Sequence, residues 1–401
     1  MAGMVIIGAG HAAGQAAASL RQEKYEGPIT IIGDEDHVPY QRPPLSKQYL
    51  SGEQDLSRVY LRPEKFYADK DITLKLGVSA TAIDPDGHTV SLDSGETVPY
   101  DKLIISTGSR PRMLNIEGSN LPGIHYLRTI ADVDAIRDEM TEGKKLVIVG
   151  GGYIGLEVAS VGVEAGLEVH VLEMEERILQ RVTTPEMSAY YHQLHAGRGV
   201  HLHTSTAVSG FAGSSRVEQV LCGEQQFAAD LVIVGIGIIP NTELADAAGL
   251  ETDNGIVVDD HCRTSNPDIY AAGDCTNHPN PLLDRRLRLE SVPNAMEQAR
   301  VCASNMLGGD KVYASIPWFW SDQYELKLQM VGFSADGEEA VVRGDKAANQ
   351  FAVFYLHDGK VVAADAVNSP KEFMVCKQLI GKAVDPVALA DPATELKTLL
   401  A

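Results

Sequence analysis

The sequence predicts an α/β protein, with two parallel-sheet βαβ units in tandem followed by a smaller α+β region. Three observations carry this expectation. Apolar strands break into glycine clusters and continue as helix-forming runs at residues 5–20 and 145–157. Further apolar strands end in glycine at residues 103–108, 231–237 and 269–273, the punctuation of a parallel sheet whose strand ends carry a site. The last part of the chain alternates strand-like residues 352–355 and 361–364 around the turn Asp358-Gly359, and finishes in a helix-like stretch at 372–381.

A chain of 401 residues has room for two or three domains, and its 44% hydrophobic and 22% charged composition is that of a globular protein, neither disordered nor fibrous. The formal net charge is -21, which repels phosphate backbones and anionic lipid at long range and argues against nucleic acid or membrane surfaces as partners. The longest apolar run, residues 231–239, is about half of the roughly 20 residues a spanning helix needs. The amino terminus runs into the first strand without a basic leader or cleavage site, so a cytoplasmic location is expected. Cys222, Cys262, Cys275, Cys302 and Cys376 are odd in number and scattered; they read as reduced, buried thiols. The histidines show no metal-ligand spacing with cysteine or carboxylate, and no metal site is expected.

The first glycine cluster reads Val5-Ile-Ile-Gly8-Ala-Gly10-His-Ala12-Ala13-Gly14. Gly8 suits a tight turn, Gly10 a close backbone approach to a pyrophosphate, and Ala13 stands at the third fingerprint position, with the helix N-terminus supplying partial positive charge. Alone, such a match equally describes a close-packed βα turn. The next strand, 29–32, runs into Gly33-Asp34-Glu35, completing a βαβ unit with an acid at ribose distance. Gly33 occupies the strand-end position where a carboxylate is usual, which leaves Asp34 and Glu35 as alternatives. The second cluster, Gly150-Gly-Gly152-Tyr153-Ile154-Gly155-Leu-Glu157, has all three glycines, and the strand after it ends in Glu173. A carboxylate there accepts bonds from a ribose 2′-hydroxyl and repels a 2′-phosphate, so NAD(H) is expected over NADP(H). Arg177 reads either as a surface or phosphate-facing side chain or as a selector of the adenine nucleotide. At the strand end Ala271-Ala272-Gly273-Asp274, small residues admit a backbone and Asp274 can bond a polyol hydroxyl.

Together with Tyr40-Gln-Arg42-Pro-Pro44-Leu-Ser-Lys47, Thr107-Gly108, Ser291-Val292-Pro-Asn-Ala295 and Pro317-Trp-Phe-Trp320-Ser-Asp-Gln323, these motifs resemble the FAD-dependent pyridine nucleotide-disulfide reductases. More narrowly, they resemble the oxygenase-coupled NADH–ferredoxin reductases. The resemblance implies a glutathione-reductase-like arrangement: an FAD-binding domain at 1–108 and 239–317, an NAD-binding domain at 109–238 and a C-terminal α+β domain at 318–401. It implies FAD contacts at Gly8, Gly10, Ala12, Ala13, Gly14, Asp34 or Glu35, Arg42, Pro44, Lys47, Ala80, Thr107, Gly108, Arg128, Gly273, Asp274, Val292 and Trp320. It implies NADH contacts at Gly150, Gly152, Tyr153, Ile154, Gly155, Glu173 and Gly237.

By the same resemblance, Lys47 sits near the reactive edge of the flavin and pairs with Glu157. A buried cation there would stabilise developing negative charge, with the carboxylate keeping the lysine protonated; the alternative is an ordinary structural ion pair. Trp320 would lie against the ring, or else serve as a core aromatic. Residues 41–47, where disulfide-reducing relatives carry redox cysteine, contain no sulfur, which argues against thiol relays and sulfenate chemistry. The implied enzyme takes hydride from NADH onto FAD and passes electrons singly to a two-iron ferredoxin that feeds a bacterial monooxygenase or dioxygenase. Arg285, Arg286, Arg288 and Arg300 are candidate ferredoxin contacts, with a solvated charged face as the alternative. A rubredoxin reductase, or a redox-signalling flavoprotein like apoptosis-inducing factor, would share these motifs.

Overall fold

The computed structural model describes residues 2–400, and the chain divides into two compact units. The first comprises Met1–Gln41, Asp55–Arg110 and Ile238–Pro317. Its centre is a parallel sheet in the order Ile269–Ala271, Lys102–Ile105, Met4–Ile7, Ile29–Ile32, Ile72–Lys75. The central strands are almost wholly apolar because both of their faces are covered. Alternation divides the side chains between the faces. Ile6, Ile31 and Ile104 pack on one side with the alanines of helix His11–Gln22 and with Ala299 and Ala303 of helix Val292–Met306. Val5, Ile7, Leu103 and Ile105 pack on the other with Ile83, Val90 and Val98 of the antiparallel strands Ala80–Asp84, Thr89–Leu92 and Thr97–Pro99. The N-termini of both helices stand at the same end of the sheet, where the Gly273 Cβ position lies 3.7 Å from both Ala12 and Ala295.

The second unit comprises Arg42–Gln54, Pro111–Gly237 and Trp318–Ala401. It repeats the parallel arrangement, in the order His201–His203, Glu168–Leu172, Lys145–Val149, Leu231–Val234, Ile124–Tyr126, with helix Tyr153–Glu164 following the central strand. It also contains a five-stranded antiparallel sheet, ordered Trp318–Gln323, Leu326–Gly332, Lys360–Val367, Gln350–His357, Glu339–Asp345. One core serves both sheets: Leu156, Ile178, Met187 and Tyr191 are buried with Leu328, Met330, Phe351 and Tyr355. That shared core is why the C-terminal strands belong to the same compact unit as the second βαβ fold. The expected turn at Asp358-Gly359 joins two of these strands with φ of 48° and 71°, the left-handed pair of a tight hairpin. The helix expected at 372–381 is Pro370–Leu379, starting two residues earlier because Pro370 is pre-set for a first helical turn; it does not finish the chain, since helix Pro386–Ala390 and the 3-10 turn Leu396–Leu400 follow it.

Residues 42–54, which the sequence boundaries keep with the first unit, pack in the second. They form the 3-10 turn Pro43–Ser46 and the helical turn Gln48–Ser51. Tyr49 donates its hydroxyl to Asp134 at 2.8 Å, and Arg137 stacks over its ring at 5.4 Å. Both partners lie on helix Ile130–Glu139, whose start is fixed by a capping box between Thr129 and Asp132. No helix among the described residues is long and apolar enough to cross a membrane.

Candidate functional site

In the first unit the strand Met4–Ile7 ends at Gly8, whose φ is +102°; a Cβ there would stand 2.2 Å from the Ser106 carbonyl oxygen, so only glycine fits. Gly10 then caps helix His11–Gln22 with extended backbone, no side-chain cap and no acid in the first turn. A Cβ at Gly10 would meet nothing within 4 Å. The result is a helix N-terminus to which the capping residue contributes no side chain and the first turn no acid, which suits it to an anion. Gly273 closes in beside it: its Cβ position is 3.7 Å from the Cβ atoms of Ala12 and Ala295. Its N–H donates to Gln298 Oε1 at 2.8 Å, while Gln298 Nε2 is a buried donor without a partner. Asp274 accepts from Ser109 at 2.9 Å. The Thr107 hydroxyl is committed to bracing, donating to the Asn241 carbonyl at 2.7 Å. Gly108 turns with φ of 64°. Val292 opens its helix behind the cap Ser291, whose hydroxyl accepts from Asn294 N–H. Ala80 packs at the edge of the core on the Val5 and Ile7 side.

The second unit repeats this cradle. Gly150 has φ of +110° and would place a Cβ 2.4 Å from the Gly235 carbonyl; Gly152 caps its helix without a side chain and opens onto nothing within 4 Å. A Cβ at Gly155 would stand 2.2 Å from the Gly150 oxygen, so the third glycine permits the helix to pack on the turn. Gly237 has φ of +105° and accepts from Arg112 N–H at 2.9 Å. Ile154 is exposed at the helix start, but Tyr153 points inward, its ring edge-on to Phe319 at 5.3 Å and its hydroxyl 2.9 Å from Met330 Sδ. Tyr153 therefore offers the cradle its backbone, not its side chain.

Besides Ala13 in place of Gly155, the two cradles differ at the paired positions Ala9/Gly151 and Gly33/Glu173, and that difference is steric. In the second unit Glu173 reaches back to the glycine loop, accepting from Gly151 N–H at 2.7 Å and from Glu175 N–H at 2.9 Å. The first unit has Ala9 in place of Gly151, and a Cβ added at Gly33 would lie 2.5 Å from the Ala9 Cβ. A carboxylate cannot start from Gly33 while Ala9 stands opposite. Of the next two acids, Asp34 is exposed, while Glu35 is half-buried and accepts from Tyr40 at 2.6 Å. Near Glu173, Arg177 donates through Nη2 to the Gln180 carbonyl at 3.1 Å, and its Nη1 is buried without a partner.

Also in the second unit, a buried carboxylate gathers three donors. Glu157 Oε2 accepts from Lys47 Nζ and Ser46 Oγ, both at 2.5 Å, and Oε1 accepts from Ser321 Oγ at 2.6 Å. The Lys47 and Glu157 side chains are 10% and 5% exposed, so neither charge is solvated enough to stand alone. Removing one partner of such a pair costs about 3–5 kcal/mol, much of it the stranded charge that remains. Lys47 Nζ also reaches the Pro43 carbonyl at 3.2 Å. Arg42 donates to the Arg128 carbonyl at 2.6 Å, drawing two expected site residues together, and Pro44 is buried in the same turn. Trp320, on strand Trp318–Gln323, is half-buried, with its ring 5.9 Å from that of Trp318. The partners Ser46 and Ser321 went unforeseen, although Ser321 follows Trp320 in a strand and so must face the opposite way.

Residues 3–299 match the pyridine nucleotide-disulphide oxidoreductase model, and 318–400 match the reductase C-terminal model. The chain belongs to the pyridine nucleotide-disulphide oxidoreductase family. It is 44% identical to the putidaredoxin reductase of Pseudomonas putida over 99% of this chain and 96% of that protein. It is likewise 44% identical to the ferredoxin–NAD(+) reductase component of the anthranilate 1,2-dioxygenase system of Burkholderia cepacia, covering 99% and 98%. The solved structure of the covalent putidaredoxin reductase–putidaredoxin complex superposes with a TM-score of 0.96 at 44% identity, covering 100% of this chain and 98% of that one. A rubredoxin–NAD(+) reductase of Pseudomonas putida is more distant, at 39% identity over 92% of this chain and 96% of that protein.

Among members of this oxidoreductase family the state of the sulfur matters, and here all five cysteines are buried and unpaired. Burial pushes the Cys275 thiol up to about 11 and raises those of Cys222, Cys262 and Cys376, so the nucleophilic thiolate is suppressed. The arginines expected at a partner surface divide. Arg286 is a brace, donating to Asn277 Oδ1 at 3.0 Å and to the Asn277 and Val258 carbonyls at 2.6 and 2.9 Å. Arg288 bonds Glu290 at 2.6 Å and Asn254 at 3.2 Å. Arg285, Arg286 and Arg300 are all exposed. Asp259, Asp260 and His261 form an acidic cluster within metal-ligand reach, but Asp259 accepts from the His261 and Arg263 N–H groups and Asp260 from the His261 ring, which makes it a loop brace.

Proposed function

We propose that this chain is an NADH-dependent ferredoxin reductase that serves an oxygenase. The observation that carries the reading is the pair of uncapped glycine cradles, one in each unit, on a chain whose thiols are all buried. Two cradles of the same design suit two dinucleotides, and buried thiols with no sulfur at residues 41–47 leave the electrons no sulfur route. The first cradle, with Gly8, Gly10, Ala12, Ala13, Gly14, Gly108, Gly273 and Asp274, takes the FAD diphosphate and sugars, Glu35 or Asp34 bonding its ribose; the second takes NADH, with Glu173 on the adenosine ribose. Bound FAD supplies what side chains lack, acceptance of a hydride and release of electrons one at a time. The chain's residues prepare that exchange. Lys47 presents a fixed positive charge to the flavin, and Glu157 holds that charge in place. Trp320 walls the ring, and Arg42, Pro44 and Arg128 shape its surroundings. Arg285, Arg286, Arg288 and Arg300 carry the positive charge suited to an acidic two-iron ferredoxin.

The test is reconstitution with FAD followed by rapid mixing. NADH should bleach the flavin much faster than NADPH, and reoxidation should be fast with a two-iron ferredoxin and slow with rubredoxin. Rapid turnover on rubredoxin with none on any ferredoxin would assign the chain to the rubredoxin reductases. A long-lived reduced complex that passes electrons to neither carrier would favour a redox-signalling role.

A further inference from the structure

Glu157 is the end of a longer chain of hydrogen bonds inside the second unit. Ser321 Oγ lies 2.6 Å from Glu157 Oε1, Gln323 Nε2 3.1 Å from Ser321 Oγ, His195 Nε2 2.7 Å from Gln323 Oε1, and Tyr324 Oη 3.1 Å from His195 Nδ1. Ser321 and Gln323 are each 1% exposed and His195 is 0% exposed, so water offers them little competing partnership. Strand alternation explains the spacing: Ser321 and Gln323 share the inward face of Trp318–Gln323, while Trp320 lies on the other.

The direction of every bond follows from one charge. An ionised carboxylate only accepts, so the Ser321 hydroxyl must donate to Glu157 and can only accept from Gln323. Gln323 must therefore turn its amide nitrogen to Ser321 and its oxygen to His195. His195 must carry its proton on Nε2 and receive the Tyr324 hydroxyl at Nδ1. This requires a neutral imidazole, and burial favours one, pushing His195 down to about 4. The nearby cation Arg198 stacks on the Tyr324 ring at 4.9 Å and lies outside the chain of bonds. Four side chains are thus aligned with their donors pointing at Glu157.

We infer that Ser321, aligned by Gln323 and His195, is a positioning residue for the Glu157–Lys47 pair. By donating to Oε1 it fixes the carboxylate plane, leaves Oε2 to Lys47 and Ser46, and draws negative charge away from the oxygen that faces the lysine. Lys47 then keeps more of its positive field for the flavin. The inference rests on the proposed placing of Lys47 at the flavin, and the experiment separates the two.

The midpoint potential of the FAD-reconstituted protein is measured for wild type, Ser321→Ala, Ser321→Thr, His195→Phe and Lys47→Met. The histidine nitrogens of the wild type are read by 15N NMR, using His195→Phe to assign His195. Loss of one bond to a charge is worth about tenfold, so Ser321→Ala should lower the two-electron potential by about 30 mV. Ser321→Thr, which retains the hydroxyl, should restore it, and His195 should be the neutral Nε2–H form. If Lys47→Met shifts the potential and Ser321→Ala does not, the inference fails while the placing of Lys47 stands. If Lys47→Met does not shift it either, both fall. An Nδ1–H or doubly protonated His195 at neutral pH overturns the inference whatever the potentials show, and that measurement does not depend on a folded Ser321 variant.

Discussion

Glu173 has two jobs in the second cradle, and substitutions can divide them. It braces the glycine loop by accepting from Gly151 and Glu175 N–H at 2.7 and 2.9 Å, and in the proposed NADH site it places a negative charge where a 2′-phosphate would arrive. Two unit charges about 4 Å apart repel by about 4 kcal/mol at the effective permittivity of a protein surface. Half-exposure and salt reduce this to about 1–2 kcal/mol, a roughly 5- to 30-fold preference for NADH. Glu173→Gln keeps an acceptor for Gly151 and removes the charge. It should raise kcat/KM for NADPH by about tenfold while changing that for NADH by less than about fivefold. Glu173→Ala removes both roles, and should additionally raise KM for NADH because the loop loses two charge-assisted bonds. Steady-state kinetics with both nucleotides at low and high salt measures each part. The wild-type preference should shrink with salt, and that of the Gln variant should not. An unchanged NADPH to NADH ratio in Glu173→Gln would refute the reasoning.

The steric exchange between cradles predicts that Gly33→Ala, which brings a Cβ within 2.5 Å of Ala9, weakens FAD retention and lowers Tm, and that adding Ala9→Gly restores both; a double variant as impaired as the single one, by flavin fluorescence and calorimetry, would count against it. Asp365 is buried, accepts from Tyr355 at 2.9 Å and Thr183 at 3.1 Å, and is pushed by desolvation from 3.8 up to about 6. A carboxyl raised on folding favours the folded state fully below its unfolded pKa, and that contribution is lost as pH rises through about 6, a difference of up to about 3 kcal/mol. Asp365→Asn escapes this loss, so its Tm relative to wild type should climb between about pH 5 and about pH 7.5; a difference that stays flat with pH means Asp365 does not titrate there. An aromatic disulfide reagent should label none of the five cysteines in the native protein at neutral pH and all of them after unfolding, and a native thiol whose rapid labelling stops flavin reduction would reopen a sulfur route.

How much of this was legible in the sequence depends on whether a feature is local. The cradles were, because the positive-φ turns at Gly8 and Gly150, the bare caps at Gly10 and Gly152 and the packing of Gly155 on Gly150 all fall within one strand–turn–helix unit, although the carbonyls that exclude a Cβ at Gly8 and Gly150 belong to Ser106 and Gly235. The Lys47–Glu157 pair was reached through resemblance; no local pattern joins residues 110 positions apart in the chain. Tyr153 illustrates the limit in the other direction. Its place in the glycine motif suggested a nucleotide contact, but its ring is drawn into the core with Phe319 and Met330, strands that enter the unit from the far end of the chain. Arg286 likewise was visible only as a charge in a basic run, whereas its bonds to Asn277 and the Val258 carbonyl depend on the hairpin that brings them beneath it. Gly33 is the instructive case: an absent carboxylate was visible, yet its cause lay in Ala9, two dozen residues earlier, and emerges only when the two cradles are compared atom by atom. The same logic governs His195. Nothing near it in sequence marks it, because what fixes its tautomer is the charge on Glu157, four hydrogen bonds from the Tyr324 end of the chain, and a direction imposed by electrostatics cannot be read from spacing. Residues of this kind are found by asking of each buried polar group what it must donate and what it can only accept.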